Sequence, residues 1–479
     1  MTDTREIVQK LWGLCHVLRD DGITYHQYVT ELTYLLFLKM ARETGREEQL
    51  PEGYRWEDLT RLKGVGQLHF YRELLVRLGA HGSARVQSIY TGASTALREP
   101  RNLSKLVSSI DELDWYSARQ EGLGDLYEGL LEKNATEQKS GAGQYFTPRP
   151  LIESIVACVQ PRAGEVVQDP AAGTGGFLIT ADRYIKDATD DLFTLDEKAA
   201  AFQREQAFWA MELVPDAQRL LLMNALLHDI DGHLLLGDTL SEQGKALQTA
   251  DVVLTNPPFG TKRGGGAPAR DDFTFPTGNK QLAFLQHIYR VLKPGGRAAV
   301  VLPDNVLFEE GVGTRIRADL MDKCDLHTIL RLPTGIFYAQ GVKTNVLFFR
   351  RGATDAGNTR RVWIYDLRTN MPSFGKRTPL TREHFAEFEA AFGADPLGGA
   401  ERRDEGAEGR FRCFSREEIA ARGDNLDISW LRDENAERHE DLPEPDEIAA
   451  EITLRLQEAL SEMEELTALL AGERQFSSE

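Results

Sequence analysis

The chain has 479 residues, 41% of them apolar, which is too long for one compact core, so two or three domains are expected. Its four cysteines, Cys15, Cys158, Cys324 and Cys413, include no C-x-x-C pair, which excludes a disulfide framework or a cysteine zinc site and suits a reducing compartment. A net charge of −19 excludes a basic domain that grips nucleic acid unaided, and with no apolar run of membrane length and no signal-peptide core a cytoplasmic protein without a membrane partner is expected.

In chain order, Glu6 to Arg42 carries apolar residues at helical spacing, first Ile7, Leu11, Leu14 and Leu18, then Tyr28, Leu32, Leu35, Leu36 and Leu38. Leu68 to Leu78 and Leu103 to Ile110 repeat the pattern. His16, His26, His69 and His81 stand isolated, so residues 1–122 read as an all-helical domain without chemistry, and no metal site is expected. A helix and a polar linker follow over 121–140, ending in Lys139-Ser-Gly-Ala-Gly143. Apolar runs then alternate with helical patterns. The strands are expected at Val166-Val167, before Glu212, and at Leu234–Leu236, Val252–Leu254, Ala298–Leu302, Thr328–Leu332 and Asn345–Phe349. Gln281 to Leu292 reads as a helix closed by Lys293-Pro-Gly-Gly. This alternation implies an α/β, doubly wound, Rossmann-like parallel sheet over 123–435.

Two stretches within that sheet carry the chemistry. Asp169-Pro-Ala-Ala-Gly-Thr-Gly-Gly-Phe177 leaves a strand through Gly173, Thr174, Gly175 and Gly176, which allow a sharp turn and close approach of a ligand. It is not the dinucleotide form G-x-G-x-x-G. The acid at its head, Asp169, would repel a pyrophosphate but could hold an ammonium group or a hydroxyl. A cofactor with a cationic amino acid end and no phosphate fits, as S-adenosyl-L-methionine does; an ordinary strand-to-helix turn is the other reading. The second stretch, Asp251-Val-Val-Leu-Thr-Asn-Pro-Pro-Phe259, ends a strand in Asn256, Pro257, Pro258 and Phe259. An exocyclic amine on a base is a poor nucleophile because its lone pair is delocalised. The Asn256 side-chain oxygen and the Pro257 carbonyl can accept its two hydrogens and free that lone pair. Phe259 offers a face on which an extruded base can stack. The competing reading is that Asn-Pro-Pro only stops a buried strand.

With Gly141-Ala-Gly-Gln-Tyr-Phe-Thr-Pro-Arg-Pro150 as the most specific element, the chain resembles the N6-adenine DNA methyltransferases, and among them the modification (M) subunits of type I restriction-modification systems. The resemblance covers roughly residues 5 to 470. It implies that Gln144, Tyr145, Phe146, Thr147, Pro148 and Arg149 surround the methionine end of S-adenosylmethionine, that Glu212 holds the ribose hydroxyls and that Asp238 holds the cofactor adenine. The partners it implies are double-stranded DNA, a specificity (S) subunit, a second M subunit and a restriction (R) subunit. It also implies that the helical front closes over DNA or contacts partner subunits.

The remaining segments fit this frame. Lys262, Arg263 and Arg270 form a local basic, glycine-rich loop, whereas residues 401–479 hold ten basic and twenty-three acidic side chains and so −13 of the −19 charge. Weak DNA binding by the isolated chain is expected, the duplex being brought by a partner. Phe275-Pro-Thr-Gly278 and Leu332-Pro-Thr-Gly-Ile-Phe337 read equally as ordinary turns or as walls of a base pocket. In the last segment, 436–479, Ala449, Ile452, Leu456, Ala459, Met463, Leu466 and Leu470 form a narrow apolar seam suited to association with another subunit. No Pro-Cys pair is present for attack on a cytosine carbon, and no Walker motif for ATP. N4-cytosine methylation, protein glutamine N-methylation and a non-catalytic scaffold keeping the fold remain as alternatives.

Overall fold

The computed structural model describes residues 4–15, 22–115, 123–137, 146–259, 270–337, 342–372, 374 and 378–432. Gln144, Tyr145, Lys262, Arg263 and the seam of the last segment lie outside them.

The chain forms two units. The first is helical, built from Thr4–Gly13, Tyr25–Glu43, Gly64–Ala80, Ala84–Tyr90, Pro100–Asp111, Leu123–Glu137 and, from later in the chain, Pro215–Leu227. Its helices start where the sequence supplies caps: Thr24 and Gln27 form a reciprocal capping box before Tyr25, and Pro100 opens its helix at a position needing no N–H. The apolar stripes predicted from spacing are buried, Leu35, Leu36, Leu74 and Leu103 fully so, except that Leu14 is half-buried and Leu18 lies outside the described residues. Two carboxylates of this unit are multiply paired. Glu31 accepts from the Tyr71 hydroxyl at 2.8 Å and the Ala96 N–H at 2.6 Å, and Asp111 takes both Lys39 and the Trp56 indole. Arg219, on Pro215–Leu227, donates to the Ile89 and Thr91 carbonyls, which ties this late helix to the earlier ones.

The second unit carries the sheet: β1 Val167–Asp169, β2 Phe208–Glu212, β3 His233–Leu236, β4 Ala250–Thr255, β5 Leu292–Pro303, β6 Cys324–Arg331, β7 Thr344–Arg351, β8 Arg361–Asp366 and β9 Phe411–Ser415. Among the described residues the order is β3-β2-β1-β4-β5-β7-β6-β8-β9. β1 pairs in parallel with β2 and β4, and β4 with β5. The doubly wound α/β architecture is therefore present, but the sheet is mixed where an all-parallel one was expected. β7 runs antiparallel to both β5 and β6, and β9 antiparallel to β8. The reason lies between β6 and β7. Parallel neighbours need a crossover, normally a helix, and the chain from Leu332 to Lys343 carries no helical pattern, so the next strand returns in the opposite direction.

A second difference concerns Lys293-Pro-Gly-Gly. The helix Lys280–Val291 stops as expected, yet the tetrapeptide is a bulge at the start of β5: Ala250 pairs with Leu292 and Val252 already with Arg297. Gly296 is needed there because a Cβ would lie about 3 Å from the Asp251 and Ala250 carbonyl oxygens. β1, β4, β5, β6 and β7 are buried on both faces, and their Val, Leu, Ile and Phe side chains form one core with Leu282, Leu285 and Ile288 of Lys280–Val291. No helix of the described residues is long and apolar enough to cross a membrane.

Candidate active site

Four polar side chains follow one another along the carboxyl edge of neighbouring strands in the second unit. Asp238 lies just beyond β3, Glu212 ends β2, Asp169 ends β1 and Asn256 follows β4. The strand ends are tied by backbone bonds, Gly237 N–H to Glu212 carbonyl at 2.9 Å and Ala172 N–H to Met211 carbonyl at 3.1 Å. Thr239 donates its hydroxyl to the Pro170 carbonyl at 2.5 Å, which joins the loops after β3 and β1. Val167 pairs with Val252 and Gln168 with Val253, so Asn256 extends two residues, ~7 Å, past the level of Asp169. This is the edge at which open α/β sheets bind ligands.

Asp169 is buried, and its carboxylate accepts from the Ala171 N–H at 3.1 Å. Burial pushes the carboxyl up to about 7, while the Thr255 hydroxyl and the Ala171 N–H pull it back and the Glu212 carboxylate adds to the rise. Among the described residues no cation pairs with it. Asp238 is fixed differently: its carboxylate accepts from the Leu240 N–H, and its own N–H donates to Gln243. Leu213 and Leu236, beside Glu212 and Asp238, are 58% and 49% exposed, large apolar side chains left open next to the acids. Spacing did not single out either leucine. Both continue apolar runs that otherwise read as strand interior.

Asn256 is buried, and its amide is oriented. Its Nδ2 donates to the Thr147 hydroxyl oxygen at 2.9 Å, while its Oδ1 is buried with no hydrogen-bond partner among the described residues. The backbone beyond it is also held, the Pro258 carbonyl accepting from Gln281 Nε2 at 2.9 Å. Phe259 meets Phe337 edge to face, centroids 5.5 Å apart and planes at 88°. Of the two rim loops, Leu332–Phe337 thus delivers an aromatic ring to the motif. Phe275 is tied back to Lys280–Val291 through two bonds with Gln286, as an ordinary turn would be.

The other expected site residues fall as follows. Pro148 is the cap residue of the helix Arg149–Val159, and Arg149 pairs with Glu153 one turn along it at 3.3 Å. Phe146 is half-buried in the first unit. Gly173 and Gly175 have φ of +54° and +86°, as a sharp turn requires. Within the first unit, the Thr174 carbonyl accepts from Asn224, and a Cβ at Gly175 would lie 2.5 Å from Leu221 Cδ1. Gly176 opens the next helix, where a Cβ would meet Ile152 at 2.9 Å.

Arg270, read from the sequence as part of a local basic, glycine-rich loop with Lys262 and Arg263, is used inside the fold. It is buried, clamps Asp272 with Nε and Nη2 at 2.8 and 2.6 Å, and donates to the Thr239 carbonyl at 3.0 Å. His287 lies 2.8 Å from its Nη1 and is driven down to about 3 by burial, aided by the Arg270 charge. The other ring nitrogen of His287 meets Gln168, the β1 residue before Asp169. Farther along the rim, Arg368 grips Asp304 with both guanidinium ends, at 2.8 and 2.9 Å. Burial alone would raise the Asp304 carboxyl, but Arg368 and Asn345 hold it below its ordinary range.

The family model described as N-6 DNA Methylase matches residues 118–440. The chain is 54% identical over 505 residues to the type I restriction enzyme EcoKI methylase subunit of Escherichia coli strain K12, covering 97% of this chain and 95% of that one. To the StySPI methylase subunit of Salmonella potsdam it is 54% identical over 504 residues, again covering 97% and 95%. Among solved structures it is similar to the crystal structure of the EcoKI M protein, with 50% identity, 97% and 96% coverage and a TM-score of 0.58. A chain from a structure described as showing complex assembly and conformational transition of the type I R-M system matches at 28% identity, 98% and 99% coverage and a TM-score of 0.72. Matched over most of its length by the family model and nearly end to end by these subunits, the chain belongs to the N-6 DNA methylase family, alongside the methylase subunits of type I restriction enzymes.

Proposed function

We propose that this chain is the modification subunit of a type I restriction-modification complex and transfers the methyl group of S-adenosylmethionine to N6 of adenine in double-stranded DNA, at a site chosen by a specificity subunit. The observation that carries this reading is the buried Asn256 Oδ1, which has no donor among the described residues. A buried acceptor left unpaired is costly. An amine entering beside it relieves that cost while losing delocalisation of its own lone pair.

The strand edge fits the cofactor. A buried carboxyl without a cationic partner suits a ligand ammonium group, so Asp169 would hold the amino acid end. Glu212 would take the ribose hydroxyls and Asp238 the adenine amino group, with Leu213 and Leu236 offering apolar contact to the ring. Gly173 to Gly176 keep the part read from sequence, a backbone that a ligand can approach. When bound, S-adenosylmethionine supplies an already activated, electrophilic methyl group. The protein's contribution is then alignment and polar stabilisation. Asn256 Oδ1 and the Pro257 carbonyl accept the two N6 hydrogens, drawing the nitrogen towards a tetrahedral shape and stabilising the positive charge it gains. Phe259 stacks the extruded base, and Phe337 backs Phe259. No covalent bond to the protein is required.

The acidic balance of the chain favours a division of labour in the cytoplasm: the specificity subunit brings the duplex, a second modification subunit completes the methylating complex, and a restriction subunit joins for cleavage. Methylation of adenine in duplex DNA by the chain assembled with its specificity subunit tests the reading. Asn256→Ala is expected to lower transfer by on the order of 10²-fold to 10³-fold, as loss of a single transition-state polar contact does, with cofactor binding retained. Equal rates for the variant and the parent would remove the assignment.

A further inference from the structure

Thr147 belongs to the segment whose family resemblance points to the cofactor, but its hydroxyl is used elsewhere. Its Oγ1 accepts from Asn256 Nδ2 at 2.9 Å, across more than one hundred residues of sequence. Threonine just ahead of a helix would ordinarily cap it. Here the cap residue is Pro148, and no side chain caps the first turn.

The helix that starts at Arg149 is a rigid mount. Leu151, Ile152, Ile155, Val156 and Val159 are buried along it, and its far end is gripped by Arg297 of β5, which donates to the Val159 and Gln160 carbonyls, each at 2.7 Å. Arg297 is itself locked by a double contact with Glu165. The Thr147 hydroxyl oxygen therefore has a fixed place at the start of an anchored helix, and there it accepts from the Asn256 amide. An asparagine amide presents two donors at one end and an acceptor at the other, and can turn over about its last torsion. With the amide donating to Thr147, its NH2 end is engaged and its buried oxygen end is the one left without a partner among the described residues.

We propose that Thr147 is a positioning residue for methyl transfer, holding the Asn256 amide so that Oδ1 rather than Nδ2 meets the target amine. The proposal rests on Asn256 being the acceptor for that amine. Loss of the hydroxyl frees the amide to turn its donors towards the substrate, which opposes two donors to each other and raises the barrier without touching the cofactor.

The test is steady-state methylation of adenine by the chain assembled with its specificity subunit, with S-adenosylmethionine affinity measured separately by calorimetry. Thr147→Val keeps the shape and removes the hydroxyl. Its kcat is expected to fall by on the order of tenfold to a hundredfold, the scale of a misplaced reactive group, while KM and Kd for S-adenosylmethionine stay within about twofold of the parent, the floor set by measurement rather than by any lost contact. Thr147→Ser restores the hydroxyl and is expected to recover most of kcat. A raised Kd for the cofactor with unchanged kcat overturns the proposal, as does a valine variant with parental kinetics. Asn256→Ala, run in parallel, separates the two levels. If it methylates normally, the site reading itself fails and this inference falls with it; if it is inactive while Thr147→Val is normal, only the role of Thr147 is wrong.

Discussion

Phe337 meets Phe259 edge to face at 5.5 Å, which fixes the plane of the ring proposed to stack the target base. An aromatic pair of this geometry is worth about 0.5–1.5 kcal/mol beyond its buried area. Phe337→Leu keeps the site apolar but releases the ring. Methyl transfer is expected to fall by about 2- to 10-fold, the equivalent of that energy, with cofactor affinity unchanged. Single-turnover methylation under saturating cofactor measures it, and an unchanged rate would mean that Phe259 needs no support from this loop.

Asp169 links pH to both stability and binding. Burial raises its carboxyl from 3.8 to about 7. Between those values the folded chain holds one proton more than the unfolded chain, so this group's contribution to stability falls as pH rises through the window and levels off above it. Asp169→Asn removes the dependence. Above pH 7 the unliganded variant is expected to be more stable than the parent by on the order of 4 kcal/mol, since each tenfold change in proton affinity is worth about 1.4 kcal/mol, and to bind S-adenosylmethionine more weakly. In the parent, cofactor affinity should rise from pH 6 to pH 8 as the carboxylate forms. Thermal melts and calorimetry at the two pH values decide, and a variant that melts lower than the parent at pH 8 contradicts the account.

Gly175 has a φ of +86°, and a side chain there would press on Leu221. A β-branched residue in that conformation costs at least about 1–2 kcal/mol locally, and the turn is expected to open instead. Gly175→Val should therefore bind no S-adenosylmethionine at concentrations that saturate the parent. Calorimetry reads this directly; an unaltered isotherm would show that the turn serves only to join strand and helix.

Arg270 stands between Asp272, His287 and the Thr239 carbonyl. Arg270→Met leaves Asp272 without its main partner and removes the donor to the residue after Asp238. A loss of about 3 kcal/mol is expected, typical of breaking a buried ion pair, together with weaker cofactor binding. Differential scanning calorimetry with and without S-adenosylmethionine measures both effects. Parental stability would mean that the surroundings of Arg270 relax around the shorter group.

Much of this was legible in the sequence, for identifiable reasons. Helical spacing at Leu32, Leu35 and Leu36 or at Leu103 and Leu106 is a one-dimensional signal, and those stripes are buried. Asp169 and Asn256 announced strand ends because glycine and proline interrupt β-branched runs. Pairing is another matter. An apolar run such as Asn345–Phe349 says that a strand is buried on both faces but not which neighbours it takes, so the antiparallel β7 between β5 and β6 went unforeseen. Phe411–Ser415 has too few apolar residues to declare itself before it pairs with β8. The structural role of Arg270 was hidden for a similar reason. A charge in a glycine-rich stretch looks solvated until Asp272 and His287, which give Arg270 its pairing, are seen in space.

The reversal of β7 has a consequence for the whole rim. Had β6 been followed by another parallel strand, its exit would have led into a helix crossing to the opposite border of the sheet. Because the polypeptide instead doubles back, residues 332–337 lie on the border where β4 ends, and Thr344 and Asn345 re-enter the sheet there. One change of direction thus brings a connecting segment beside the motif, which is how a phenylalanine almost eighty positions downstream of the Asn-Pro-Pro motif comes to lie against its aromatic ring.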